Sequence, residues 1–183
     1  MFTPERLSFA VVTALTLAAC ASVDADNAAS AVSPRLGEAA TPADIALVDI
    51  SIPPNGSGLP AGAGDARAGA KIYAAKCQTC HGEKGAGKPG DPLVGGFGTL
   101  ASRAPARTVG SYWPYATTLF DYTRRAMPTT APRSLTADEV YAVTAYILYL
   151  NGIVGETHTL DAQTLPQVKM PNRDGFVDYS KER

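Results

Sequence analysis

The chain is poor in cysteine and histidine, and neither sign of charge dominates it. Three cysteines in 183 residues are too few for a disulfide-stapled scaffold. Two histidines leave little room for a multi-histidine metal centre. Sixteen Lys and Arg against 17 Asp and Glu give a net charge of −1, without the basic surplus of a general nucleic-acid binder, so no nucleic-acid partner is expected. The longest apolar run lies near the N-terminus and is too short to span a bilayer as a mature helix. No short repeat is visible, which excludes fibrous and solenoid architectures. An apolar content of 45 % excludes disorder throughout. The length suits one globular domain and not comfortably two.

What is present is unevenly placed. Residues 21–60 hold one basic and five acidic residues, and residues 61–155 hold ten basic and six acidic ones. A mildly basic centre therefore follows an acidic leader. Most such charges only solvate a surface, but a basic face can also steer an acidic partner into register. At the N-terminus, Arg6 precedes an uncharged apolar stretch from Leu7 to Ala19, the layout of an export signal over residues 1–20. Two processing sites compete. Ala19-Cys20-Ala21 reads as a cleavage site that releases a soluble periplasmic protein. Leu17-Ala18-Ala19-Cys20 resembles a bacterial lipoprotein box, with Cys20 as the lipidated first residue. The second reading accounts for a cysteine left odd in an oxidising compartment. Either predicts a periplasmic protein, with membrane contact only through a lipid anchor at Cys20.

Residues 21–61 read as a flexible tether or partner-binding segment, rich in Ala, Ser, Asp, Pro and Gly. Within it Ile45, Leu47, Val48, Ile50 and Ile52 give a short strand-like pattern.

The chemistry is concentrated in Cys77-Gln78-Thr79-Cys80-His81. Cys-x-x-Cys-His is the attachment signature of a c-type haem. Two thiols three residues apart on one helical turn can each form a thioether to a haem vinyl group. The next residue, His81, then supplies a proximal imidazole to the iron. Competing readings fail on counting. A structural zinc site needs four ligands, and beyond the motif only His158 remains. A thioredoxin-type pair needs a βαβ setting that is missing. A Cys77–Cys80 disulfide leaves His81 unexplained.

Iron also needs a second axial ligand or an open position. Met127 and Met170 are the candidates, with His158 third. A lone methionine ordinarily packs in a core. Met127-Pro128 ranks first because it precedes a strong helix, whereas Met170-Pro171 lies in a polar tail. A His/Met pair raises the reduction potential and fills both axial positions, which suits an electron carrier and not peroxidase or oxygen chemistry.

Helices are expected around this site. Asp65 caps a first helix that runs through Lys76, and Gly69 within it costs about 1 kcal/mol relative to Ala, which close approach of another helix would offset. A further helix covers about Thr117 to Ala126. Thr136-Ala137-Asp138-Glu139 is a capping box that opens the last one. Val140, Val143, Tyr146 or Ile147, and Leu150 keep a helical period, and Asn151-Gly152 ends it. Residues 82–116 form a long Gly/Pro-rich loop, which a haem edge can fill.

Over residues 62–153 the chain resembles a class I cytochrome c. Gly69 with Tyr73, the Cys77–His81 motif, Pro92-Leu93-Val94-Gly95, Met127-Pro128 and the last helix with Tyr146 carry the likeness. The resemblance implies an all-α fold wrapped around one covalent haem c, with a helix crossing at Gly69 and Tyr146 and extended terminal segments, the C-terminal one covering 154–183. It also implies that the Pro92 carbonyl orients the His81 ring. A narrower resemblance runs through Ser111–Tyr122, Arg124–Pro128, Asp138–Tyr146 and Met170–Phe176, which are similar to the cytochrome subunits of sulfite and sulfane dehydrogenases. That family implies electrons arriving from a molybdenum-containing dehydrogenase subunit and leaving to another cytochrome or an oxidase. The alternatives are a general periplasmic shuttle, or a haem enzyme or sensor with a labile ligand. Trp113 has two readings, an indole donor to a haem propionate or a loop residue packed on the core. Arg124 and Arg125 could meet a propionate or a partner, or simply be solvated. Lys76, Lys84 and Lys88 either ring the haem edge or keep the surface soluble.

Overall fold

The computed structural model describes residues 37–178; the export signal, Cys20 and the first part of the expected tether lie outside the described residues. In chain order the elements are α1 (Pro42–Val48), β1 (Ala63–Gly64), α2 (Ala66–Lys76), α3 (Gln78–His81), α4 (Ala116–Ala126), α5 (Ala137–Leu150) and β2 (Leu160–Asp161). Short 3₁₀ turns cover Glu83–Gly85 and Leu165–Gln167. Among the described residues, five helices and one small ladder make a predominantly helical fold. No helix among the described residues is long and apolar enough to cross a membrane.

The helix ends follow local chemistry. Asp65 accepts the Ala68 N–H at 2.9 Å and opens α2. At α5, Thr136 accepts the Glu139 N–H at 3.3 Å while Glu139 accepts the Thr136 N–H at 2.8 Å, the reciprocal bonds of a capping box. Beyond the C-cap Asn151, Gly152 takes φ +67° and the helix stops.

Residues 45–52 depart from the strand-like expectation, because Pro42–Val48 is helical. Thr41 and Asp44 exchange backbone and side-chain bonds at its start, with the Asp44 N–H at 3.2 Å from Thr41 Oγ1 and the Thr41 N–H at 2.9 Å from Asp44 Oδ2. Pro42 at the first helical position needs no N–H partner. This local cap outweighs the apolar alternation, and α1 buries none of its residues.

The core is built on α5, whose Val140, Tyr141, Val143, Ala145 and Leu148 are all essentially inaccessible. Helix α2 crosses it at Gly69, where a Cβ would stand 1.9 Å from the Ala142 carbonyl oxygen and 2.8 Å from Tyr146 Cβ. Only glycine permits that approach. The Tyr73 and Tyr146 rings close the crossing at 5.3 Å. Of the two residues that kept the helical period, Ile147 is buried in the core and Tyr146 faces α2. Helix α4 packs through Leu119 and Phe120, with the Phe120 and Tyr141 rings 4.5 Å apart.

Chain on both sides of residues 62–153 packs against this core. Ile52 is buried at 6 % exposure, and Tyr141 donates to the Pro60 carbonyl at 2.9 Å. On the other side Leu160, Leu165, Val168 and Met170 are core residues. The antiparallel β1–β2 ladder pairs Ala63 with Asp161 and Gly64 with Leu160, tying the C-terminal extension to the entrance of α2. Apolar residues at intervals too irregular for a helix or a strand carry this packing, so periodicity does not reveal it.

Candidate functional site

Helix α2 runs straight into the cysteine motif. The Cys80 and His81 N–H groups both reach the Cys77 carbonyl, at 3.1 and 2.9 Å, so one tight turn carries both thiols and the imidazole. Cys77 is half-buried and Cys80 exposed, and the two are not joined in a disulfide. Before haem is attached, burial pushes the Cys77 thiol up to about 11, against the pull of neighbouring Lys76, and Cys80 raises it further. Tyr73 donates its phenol to the Gly82 carbonyl at 2.9 Å, fixing the residue after His81. Burial raises that phenol to about 12, so it stays a donor.

The His81 ring is oriented by a backbone carbonyl, and the carbonyl is that of Asp91. Nδ1 lies 2.9 Å from Asp91 O. A carbonyl only accepts, so Nδ1 carries the proton and Nε2 keeps its lone pair for a metal. This corrects the assignment to Pro92. The Gly90 N–H donates to Cys80 O at 2.7 Å and the Leu93 N–H to Gly85 O at 2.9 Å. Between those two pins it is the carbonyl before the proline that turns to the ring, and Pro92 contributes by stiffening that peptide.

The long loop is ordered by its own polar side chains. Thr108 donates to Gly95 O at 2.6 Å, Ser111 to Ala106 O at 2.6 Å, and the Thr108 N–H to Ser111 Oγ at 2.9 Å. Asn151 then ties the loop to α5. Its amide donates to Leu93 O at 3.1 Å and Ile147 O at 2.9 Å, and its oxygen accepts the Gly95 N–H at 3.1 Å. Gly110 lets it in, since a Cβ there would meet Asn151 Oδ1 at 2.1 Å. The sequence marks Asn151 only as a helix stop, and nothing local announces this bracing role.

The candidate distal residues separate cleanly. Met127 is the C-cap of α4, with its N–H still on Thr123 O at 3.1 Å, and it is half-buried. Met170 is 3 % exposed within the apolar core. His158 is exposed. Trp113 packs partly buried against the core and stands edge-on to Tyr122 at 5.8 Å. Arg125 pairs with Asp121 one turn earlier, and Arg124 donates to Ile50 O at 3.5 Å. Lys76 pairs with Glu139 at 2.9 Å, while Lys84 and Lys88 are exposed.

The donor set fits a covalently held haem. Two thiols and an oriented imidazole share one turn, and no group of three or more His, Cys, Asp or Glu that could hold a metal ion occurs among the described residues. A multidentate zinc site therefore has no ligands here, whereas haem iron asks for one imidazole and one further ligand.

Comparison with known proteins agrees. Residues 64–147 match the family described as cytochrome c oxidase, cbb3-type, subunit III. No curated protein matches the chain. A chain in the crystal structure of the sulfane dehydrogenase SoxCD from Paracoccus pantotrophus is 38 % identical, with a TM-score of 0.73, over 82 % of this chain and 75 % of that one. On these two likenesses the chain belongs to the class I c-type cytochromes, electron-transfer proteins that carry haem c covalently.

Proposed function

We propose that this cytochrome is an exported one-electron carrier whose iron is ligated by His81 and Met127, with thioethers at Cys77 and Cys80. Electrons reach it from a molybdenum-containing dehydrogenase that oxidises sulfite or a related sulfur compound, and pass on to another cytochrome or an oxidase. The haem supplies one-electron chemistry between Fe(II) and Fe(III). The chain's own residues hold it still. Asp91 O fixes the His81 ring, and Met127 is carried by the last turn of α4.

The observation that carries the ligand assignment is the contrast between the methionines. Met170 is buried in the same apolar cluster as Leu160, Leu165 and Val168, where core packing accounts for it. Met127 is half-buried at a helix end. A firmly bound sulfur keeps the second axial position filled, which favours transfer of electrons over binding of small ligands. The 38 % identity with the sulfane dehydrogenase chain supports the sulfur-oxidising partner, and the apolar Leu7–Ala19 stretch supports export to the periplasm, free or anchored through Cys20.

Two measurements test this. Met127→Ala abolishes the near-infrared sulfur-to-iron band of the oxidised protein, and Met170→Ala leaves it; the reverse result overturns the ligand set. Material purified from the native host brings a molybdenum subunit with it, and sulfite or thiosulfate then reduces the haem. Reduction only by unrelated donors contradicts the proposed partner.

A further inference from the structure

Three polar side chains of α4 lie on one stripe of the helix, at positions 117, 121 and 124. Each meets the backbone of the segment that precedes β1. Thr117 donates to Pro54 O at 3.4 Å, Asp121 accepts the Ile52 N–H at 3.0 Å, and Arg124 donates to Ile50 O at 3.5 Å. Steps of three and four residues stay on one helix face, and the bonded positions of the facing segment are 54, 52 and 50. The two sets run in opposite directions along the chain. The segment is therefore stitched lengthwise to α4.

Asp121 is the central stitch. It is 7 % exposed and is the one acidic residue on the buried face of α4. One oxygen takes the Ile52 N–H and the other takes Arg125, so the buried carboxylate is satisfied on both sides. Ile52 itself enters the core at 6 % exposure. The same helix ends in Met127, whose N–H is still bonded to Thr123 O. Whatever fixes the axial position of α4 therefore fixes the Met127 backbone.

We infer that Asp121 is a positioning residue for the distal ligand: by stitching residues 50–54 along α4 it holds Met127 where its sulfur stays on the iron. This rests on the reading of Met127 as that ligand. Without the stitch, the ligand-off population grows, and an external ligand gains apparent affinity in proportion to it.

The test uses full-length holoprotein and imidazole as the probe. Asp121→Ala raises imidazole affinity about tenfold and weakens the sulfur-to-iron band. Asp121→Asn keeps an acceptor for the Ile52 N–H and restores most of the band. Thr117→Val, a milder change on the same stripe, shifts both readouts in the same direction by less, and serves if Asp121→Ala does not fold. Tyr141→Phe removes the Pro60 bond made from α5, lowers Tm and leaves imidazole affinity alone. Unchanged imidazole affinity in Asp121→Ala, or in Thr117→Val should the first not fold, overturns the inference. So does Asp121→Asn behaving like Asp121→Ala, because the effect would then lie in the Arg125 pair. A Met127→Ala protein that keeps the sulfur band refutes the ligand reading instead, whatever the Asp121 variants do.

Discussion

The two sides of this site are built in different ways. On the His81 side everything is close in sequence: Nδ1 meets a carbonyl ten residues on, and the thiols and imidazole share one turn. On the Met127 side the supports come from far away, since Asp121 binds an N–H 69 residues back. The two meet through α5, which receives α2 at Ala142 and braces the long loop with Asn151. Local contacts suit covalent attachment, which needs both thiols and the imidazole on one turn. Distant contacts make the placement of Met127 depend on the assembled body.

The largest effect that would sharpen this contrast comes from the helix crossing. Gly69→Val drives a side chain into the Ala142 carbonyl and should cost about 3 kcal/mol, read as a lowered urea midpoint and a smaller yield of haem-loaded protein. A variant within about 0.5 kcal/mol of the parent would show that the crossing does not hold the attachment turn. Next, Asn151→Ala strips three bonds from the loop and α5 and should cost about 2 kcal/mol; equilibrium unfolding measures it, and a cost confined to a few tenths would separate the loop from the core.

A smaller effect is tied to pH. The Lys76 ammonium, and then the Thr136 bonds, hold the Glu139 carboxyl below its ordinary 4.5. Its folded-state pKa is depressed, so its contribution is complete above the unfolded value and fades as pH falls through the folded one. The pair is partly exposed, so the gain is at most about 1 kcal/mol. Glu139→Gln should flatten the fall of Tm below about pH 4.5, and an unchanged acid limb would exclude the pair. The smallest change should be an improvement. Thr144 Oγ1 is buried without a hydrogen-bond partner among the described residues, so Thr144→Val should raise stability by up to about 1 kcal/mol. A loss would mean that this hydroxyl is in use.

Much of the fold is legible where the cause is local. Asp65, the Thr136–Glu139 box and Asn151-Gly152 mark helix ends because capping is settled within four residues. The Cys77–His81 turn is legible because the chemistry itself dictates the spacing. Gly69 is legible as a crossing by its cost in a helix, and its partner is not legible from that cost. The Pro92 contact implied by the resemblance misses by one residue, because a matched proline does not say which of two adjacent carbonyls turns to the ring. The strand-like pattern at 45–52 yields to the Thr41–Asp44 cap in its first half and becomes the stitched segment in its second. Nothing local in the sequence singles out Asp121, because its bond to Ile52 exists only after the segment has folded back. The packing of Leu160, Leu165, Val168 and Met170 is equally non-local and has no period to betray it.

The account depends most directly on what is attached to Cys77 and Cys80. Mass spectrometry of the purified protein and of its proteolytic fragments should find one haem on the peptide that carries both cysteines and His81, and none on the Cys77→Ser/Cys80→Ser double variant. A colourless protein whose 77–81 peptide has the bare polypeptide mass would contradict the account.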